Sequence, residues 1–282
     1  MALLGAHQSV AGGLHLAFER LARVGGEALQ LFTRNQRQWR PSELQGAEID
    51  LFLAAHEKSG GMPVASHASY LVNLASLQEE LREQSITNLI LELQRCRKLG
   101  IPYVVLHPGA HGGAGIEAGL NRVVAALDRA LTESDAGVQV LVETTCGQGT
   151  GLGSSFEELA YILDHSRNRE FLGVCLDTCH LFAAGYELRT EDGYQATIAT
   201  LERTVGLAAV RFVHLNDSKK GLGSWVDRHE HIGKGEIGLG GFANFLNDRR
   251  FADIPMVIET PKGKDLSEDR ENLAILRSVI AE

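Results

Sequence analysis

Long apolar stretches are missing from this chain of 282 residues. Since no run reaches the roughly 18 apolar residues that a bilayer requires, we expect no transmembrane helix and no membrane partner. The first residues, MALLGAHQSV, contain neither a basic leader nor a long apolar segment, so no secretory signal is expected. No low-complexity segment divides the chain. We therefore predict one domain over residues 1–282, in a monomeric, cytoplasmic protein.

Cysteine is scarce, and positive charge is not in excess. The four cysteines, Cys96, Cys146, Cys175 and Cys179, form no CxxC pair, so reduced thiols are expected, with Cys175 as core filling. The net charge of −9 by itself argues against a nucleic-acid partner. Bound divalent ions would offset part of that charge and concentrate positive charge at one place. An acidic chain is therefore compatible with a local anion-binding surface.

The chain does contain a regular alternation of strand-like and helix-like segments. Apolar runs typical of strands occur near residues 2–7, 28–33, 62–67, 103–107, 138–143, 172–177, 210–215 and 255–259. Helical periodicity occurs in the segments that follow them: 13–24, 42–59, 71–99, 117–133, 155–166, 190–206, 240–249 and 267–281. Eight strand–helix units predict an α/β fold with a parallel sheet, closed into a (β/α)8 TIM barrel. In this fold the active site lies at the C-terminal ends of the strands.

Residues that can bind a transition metal recur at the ends of these runs. Strands rarely end on His, Asp or Glu, because such side chains are costly to bury unless they are paired or metal-bound. The loop DTCHLFAAG adds His180, which can meet Asp177 if the segment turns helically. A later loop adds Asp227 and His229 at a spacing suited to chelation. The nine candidate ligands are His67, His107, Glu143, Asp177, His180, His214, Asp227, His229 and Glu259.

Nine ligands exceed what one ion needs and suit three ions if a carboxylate bridges two of them. Mixed imidazole and carboxylate ligation favours Zn²⁺, with Mn²⁺ or Fe²⁺ as alternatives. Such a site is typical of phosphoryl-ester hydrolysis. Two alternatives stay open. His7 is either a direct ligand or a hydrogen-bonded histidine at the rim, and His231 can replace His229.

Several motifs closely resemble those of the endonuclease IV family of apurinic/apyrimidinic endonucleases, also called AP endonuclease family 2. They occur in family order from Gly5 to Pro261: GAHQSVAGG, FTRNQRQW, SHASYLVNL, HPG, ETTCGQGTGLG, LDTCHLFAAGY, HLNDSKKGLGSWVDRHEHIGKGEIG and IETP. The resemblance implies a TIM barrel with three zinc ions that cleaves double-stranded DNA on the 5′ side of an abasic site. Removal of 3′-blocking groups is a further implied activity. Cys146 departs from the Ala or Ser expected after ETT.

The resemblance also implies how the ligands are grouped. His67, His107 and Glu143 would bind the first ion, and Glu143 would bridge to a second. The second ion would also be held by Asp177, His214 and Glu259, and the third by His180, Asp227 and His229. Glu143 is the predicted catalytic residue.

DNA recognition is expected from two loops. The loop after the second strand offers Arg34, Arg37, Trp39 and Arg40 on the same rim as the metal ligands. The resemblance implies that Arg37, together with Tyr70 and Leu71, enters the duplex at the lesion, where a missing base lowers the cost of unstacking. Further basic residues suited to flanking phosphates are Lys219, Lys220, Arg228 and Lys234.

Two other functions compete with this interpretation. A metal-dependent sugar isomerase or epimerase can use the same barrel, but it needs no third ion and therefore does not explain His180, Asp227 and His229. A non-catalytic, metal-dependent DNA-binding protein would require a disrupted ligand set, and none of the nine positions is disrupted.

Overall fold

A computed structural model of the protein describes residues 2–40 and 42–281. Eight parallel strands close a barrel, and two short strands pair as an antiparallel hairpin. In chain order the strands are β1 (Leu3–Gln8), β2 (Leu29–Leu31), β3 (Val64–His67), β4 (Tyr103–Leu106), β5 (Gln139–Glu143), β6 (Leu172–Asp177), β7 (Val210–His214), β8 (Asp217–Ser218), β9 (His229–Glu230) and β10 (Pro255–Ile258). The barrel closes where β10 pairs with both β1 and β7. The predicted TIM barrel is confirmed.

Helices follow the barrel strands and pack around them. They are α1 (Leu16–Val24), α2 (Gly46–Lys58), α3 (Glu79–Leu99), α4 (Ile116–Ser134), α5 (Phe156–His165), α6 (Thr178–Ala184), α7 (Glu191–Thr204), α8 (Gly238–Leu246) and α9 (Ser267–Ser278). Within the described ranges, none of them has the length and apolar character needed to cross a bilayer.

The structure differs from the sequence prediction between residues 71 and 78. Helix α3 begins at Glu79, and the segment before it is a loop. Asn73 explains the difference, because its Oδ1 accepts the backbone N–H groups of Ala75 at 3.1 Å and Ala110 at 3.0 Å. These side-chain bonds compete with helical hydrogen bonding. The helix α6 and the β8–β9 hairpin were not among the predicted elements.

An apolar layer fills the barrel interior beneath its mouth. It consists of Ala28, Ala65, Val105, Leu141, Cys175, Phe212 and Val257. The prediction that Cys175 fills the core is therefore confirmed. Because side chains alternate along a strand, the residue two positions later points into the same interior, one layer nearer the C-terminal end. In this chain those later positions are polar: Gln30, His67, His107, Glu143, Asp177, His214 and Glu259.

Candidate metal centre

The nine predicted ligands come together at the C-terminal mouth of the barrel. His67, Glu143, Asp177 and His214 are the last residues of β3, β5, β6 and β7, and His107 and Glu259 directly follow β4 and β10. His180 lies in α6, where Asp177 is the N-cap and accepts the His180 N–H at 2.8 Å. Helix α6 thus supplies the helical turn that the meeting of Asp177 and His180 requires. His229 begins β9, in the loop that also carries Asp227.

These residues form three groups, two of which share Glu143, and in each group the possible ligand atoms lie within 4.8 Å of one another. The groups are His67–His107–Glu143, Glu143–Asp177–His214–Glu259 and His180–Asp227–His229. Cys179 forms a further group of this kind with Asp177 and His229. The first three groups match the predicted division of ligands among three ions.

Glu143 belongs to two groups and is completely buried. Its Oε2 lies 3.1 Å from His67 Nε2 and 3.0 Å from His107 Nε2. Its Oε1 lies 3.2 Å from His180 Nδ1 and 3.2 Å from His214 Nδ1. A single carboxylate therefore contacts histidines from all three groups, which is the position a bridging ligand requires.

Two histidines are held in the tautomer that suits metal binding. His67 Nδ1 lies 2.7 Å from the carbonyl oxygen of Ala68, and His180 Nδ1 lies 2.8 Å from that of Thr144. A carbonyl oxygen only accepts, so each Nδ1 must carry a proton. In the neutral ring Nε2 then presents a lone pair towards the other candidate ligands.

The charges of the site also fit divalent cations. Its four carboxylates are Glu143, Asp177, Asp227 and Glu259, and no Lys or Arg within residues 2–40 and 42–281 pairs with any of them. Buried negative charge without a cation is strongly destabilising. His229 Nε2 is buried and makes no hydrogen bond in the described part of the chain, although Asp227 Oδ1 is 3.4 Å away. The donor set and its charge thus suit a cluster of metal ions.

The histidines and carboxylates shift each other's pKa values. Burial by itself raises the pKa of Glu143, but the charges on His107 and His214 and hydrogen bonds from histidines hold it well below its usual range. Burial lowers the pKa of His180, and the negative charges of Asp177 and Glu143 more than reverse this effect. The carboxylates are therefore ionised and draw positive charge into the site.

Gln30 and Asn216 are polar residues of the site that the sequence reasoning missed. Gln30 Nε2 donates to Glu259 Oε1 at 2.6 Å, and its Oε1 is 2.9 Å from His214 Nε2. Asn216 Nδ2 donates to Asp177 Oδ2 at 2.7 Å, and its Oδ1 accepts the Glu259 N–H at 2.7 Å. Both side chains orient ligands of the second group. The one available signal was a glutamine inside the apolar run ALQLF.

Asp217 holds the loop that carries His229. Its carboxylate is fully buried and accepts backbone N–H groups from Gly233, Gly235 and Ile237 at 2.9, 3.0 and 3.0 Å. A side chain at Gly235 would place Cβ 2.4 Å from the Ser218 carbonyl oxygen. Only glycine permits this close approach.

The two alternative histidines lie outside the four groups. His7 Nδ1 is 3.0 Å from Glu259 Oε1 and 3.0 Å from Gln30 Nε2. This geometry is that of the hydrogen-bonded rim histidine. His231 Nδ1 instead accepts from Asn272 Nδ2 at 3.1 Å, so it does not replace His229.

The predicted DNA-binding residues lie beside the metal centre. Arg37 and Tyr70 are exposed, Leu71 is partly buried, and Tyr70 and His67 have ring centroids 5.6 Å apart. Ser69 Oγ donates to the Gln36 carbonyl oxygen at 2.7 Å, which ties the two loops together.

Arg34 was expected on the exposed rim, but it does not face solvent. It is buried, and its Nε donates to Glu92 Oε2 at 2.8 Å. Asn88 Nδ2 donates to the Trp39 carbonyl oxygen at 2.9 Å, so helix α3 holds both ends of this loop. Arg34 therefore supports the loop that presents Arg37.

A TIM barrel with overlapping histidine and carboxylate groups at its C-terminal mouth defines a metal-dependent enzyme. The family model described as xylose isomerase-like TIM barrel matches residues 18–279. The chain is 52% identical over 281 residues to a probable endonuclease 4 of Chloroflexus aurantiacus, covering 99% of each chain. It is 46% identical to a probable endonuclease 4 of Trichlorobacter lovleyi, covering 98% of this chain and 99% of that relative.

Solved structures agree with these relatives. Endonuclease IV from Thermus thermophilus superposes with a TM-score of 0.86 at 41% identity, covering 98% of both chains. The chain therefore belongs to the endonuclease IV family. A D-tagatose 3-epimerase-like protein superposes with a TM-score of 0.74 at only 18% identity, which reflects the shared fold alone. The sugar isomerase interpretation thus has no support beyond the barrel.

Proposed function

We propose that the protein is a DNA-repair endonuclease that hydrolyses the phosphodiester bond 5′ to an abasic site. The products are a 3′-hydroxyl and a 5′-deoxyribose phosphate, and the same site removes 3′-blocking groups. The observation that carries this proposal is the sharing of Glu143 between two ligand groups, with a third group beside them. A sugar isomerase needs no such third group.

Three Zn²⁺ ions are the cofactors in this proposal, with Mn²⁺ or Fe²⁺ as substitutes at some positions. His67, His107 and Glu143 would hold one ion. Glu143, Asp177, His214 and Glu259 would hold another, and His180, Asp227 and His229 the third. Such ions supply Lewis-acid stabilisation of phosphate charge and an activated water at neutral pH.

Glu143 is the proposed catalytic residue, through its own charge and position. It stays ionised because His107 and His214 hold its pKa well below the usual range. Its two oxygens face histidines from β3 and β4 on one side and from α6 and β7 on the other. It can therefore keep the groups at fixed spacing and accept a hydrogen bond from the attacking water.

The substrate in this proposal is double-stranded DNA containing an abasic site. A cleft of about 310 Å³ lies between Tyr70 and Asp227 and is lined by His67, His107 and His180. A nucleotide without a base is small enough for such a cleft, and its loss of stacking lowers the cost of extrusion. Arg37, Tyr70 and Leu71 would enter the duplex beside it. The protein would act as a monomer in the cytoplasm.

A nicking assay on a labelled duplex with one abasic analogue tests the proposal. The metal-replete protein should cut only the lesion strand, on the 5′ side, and should stop after chelation. Glu143→Gln should bind metal and fold but not cut, because the neutral amide cannot replace the shared carboxylate. Glu133→Gln is the matched control, since Glu133 is exposed and, among the residues that the structure describes, pairs only with Arg129. Near-normal cutting by metal-replete Glu143→Gln would refute the role of Glu143.

A further inference from the structure

Two exposed aromatic residues flank the metal centre. Tyr70 follows β3, and Trp225 lies in the loop between β8 and β9, after β7. They are 66% and 50% exposed. Around the closed barrel, β3 and β7 are four strands apart in either direction. The strand ends from which the two loops begin therefore lie opposite each other around the barrel mouth, and the loop after β7 reaches from there towards the residues that follow β5 and β6.

Trp225 has a strained backbone that its neighbours hold in place. Its φ is 56°, in the left-handed region that non-glycine residues rarely adopt. Such a conformation costs on the order of 1 kcal/mol or more and persists only where the surroundings impose it. The Trp225 N–H donates to the Ala183 carbonyl oxygen at 2.9 Å, which ties this loop to the end of α6. Asp227 N–H donates to Gln148 Oε1 at 3.3 Å.

The indole ring is also fixed, because it lies against Gly147. A Cβ at Gly147 would lie 2.5 Å from Cζ3 of Trp225, so only glycine leaves room for the ring. Gln148, the next residue, lines the cleft together with Tyr70 and Asp227. Trp225 thus stands rigidly at the edge of the cleft while half of its surface remains open.

We propose, on the basis of the proposed function, that Trp225 is a DNA contact. Its ring packs against the backbone and sugars of the duplex on the side of the cleft opposite Tyr70, so that the duplex is held from both sides. Arg228 is exposed three residues later and supplies positive charge for a neighbouring phosphate. Contacts with the backbone and sugars carry no sequence information. Trp225 therefore contacts damaged and intact duplexes alike, whereas Tyr70 contacts the duplex at the lesion.

Binding measurements in the non-cutting Glu143→Gln background test this contact. Trp225→Ala should weaken binding to abasic and undamaged duplexes by the same factor, about tenfold, as expected for the loss of one aromatic–nucleotide contact. Metal content should not change. Leu51→Ala is the control, because Leu51 is 52% exposed on the outer helix α2, and its affinity should equal that of the parent. Unchanged affinity, or a loss confined to abasic duplex, would overturn the proposal.

Fluorescence provides a second test that leaves Trp225 intact. The chain has two tryptophans, so Trp39→Phe makes Trp225 the one emitting indole. Its emission should be quenched on addition of abasic or undamaged duplex, and unchanged emission at saturating DNA would contradict the contact. If the wild type cuts abasic DNA but neither the affinity of Trp225→Ala nor the emission of Trp225 changes as expected, the Trp225 contact alone is refuted. If the wild type does not cut abasic DNA, the proposed function is refuted instead.

Discussion

At the scale of single residues, the site depends on side chains that orient the candidate ligands. Gln30 contacts Glu259 and His214 at once, through its amide nitrogen and oxygen. By accepting from His214 Nε2, it leaves Nδ1 facing the carboxylates of Glu143 and Glu259, each 3.2 Å away. Partners of this kind set ring orientation and tautomer.

Gln30→Leu should therefore weaken metal binding while preserving the barrel. Leucine has a similar size but makes neither hydrogen bond, so His214 and Glu259 lose their common support. We expect a decrease in metal affinity of roughly 10- to 100-fold, measured by competition with a chromophoric chelator. Gln139→Leu is the matched control, because Gln139 begins β5 at the opposite end of the barrel and donates to the Glu170 carbonyl oxygen. Equal affinities in both variants would show that Gln30 does not orient the ligands.

At the scale of elements, the loop after β7 is positioned by one carboxylate. Asp217 accepts four backbone N–H groups, including that of Ser218 at 2.8 Å. Asp217→Asn replaces one acceptor oxygen with a donor that faces these N–H groups. Elemental analysis after dialysis should then find fewer bound ions than in the wild type, because the loop carrying Asp227 and His229 is released. An unchanged metal count would show that the loop is held by other contacts.

Asp128 joins α4 to the segment after α5 and should make stability depend on pH. Burial raises its pKa, but hydrogen bonds from Ser166 Oγ at 2.6 Å and Arg167 N–H at 3.0 Å, with others, lower it overall. Because the pKa of Asp128 is lower in the folded state than the unfolded-state value near 3.8, the ionised carboxylate stabilises the fold above that pH. This stabilisation is lost as the pH falls through the folded-state pKa of Asp128.

Asp128→Asn should therefore be less stable than the wild type at neutral pH, by about 1–3 kcal/mol. The difference should shrink below about pH 4, where Asp128 itself takes up a proton. Urea unfolding at several pH values measures it. A constant difference across the acid range would mean that the charge of Asp128 contributes nothing.

At the scale of the whole molecule, the proposed ions connect distant parts of the chain. The ligands come from β3, β5, β6 and β7, from α6 and β9, from the loop between β8 and β9, and from the residues after β4 and β10. Ions that bind only the folded barrel stabilise it by mass action, about 4 kcal/mol at a thousand times the dissociation constant.

Removal of metal should accordingly lower the melting temperature, by roughly 10 °C for a chain of this size. The buried carboxylates then face one another with protonated histidines as counter-charge. Scanning calorimetry before and after chelation measures the shift, and added Zn²⁺ should restore the original value. A melting temperature that is the same before and after chelation would argue against tightly bound ions.

The sequence by itself predicted the barrel, because eight strand–helix units in a chain of 282 residues fit a closed parallel barrel better than an open doubly wound sheet. It also identified the candidate ligands, since charged residues at strand ends are costly without a partner. The sequence prediction was wrong where the local apolar pattern and the tertiary contacts favour different structures. The apolar spacing of residues 71–78 resembles a helix, but Asn73 hydrogen bonds hold a loop.

Only the tertiary structure decided which residues meet. Gln30 and Glu259 are 229 positions apart, and the closing of the barrel brings β2 and β10 to either side of β1. The position of Trp225 against Gly147 likewise depends on two loops from different strands. Strand periodicity is a local property of the chain, whereas hydrogen-bond partners and the exposure of a ring are set by the folded neighbours.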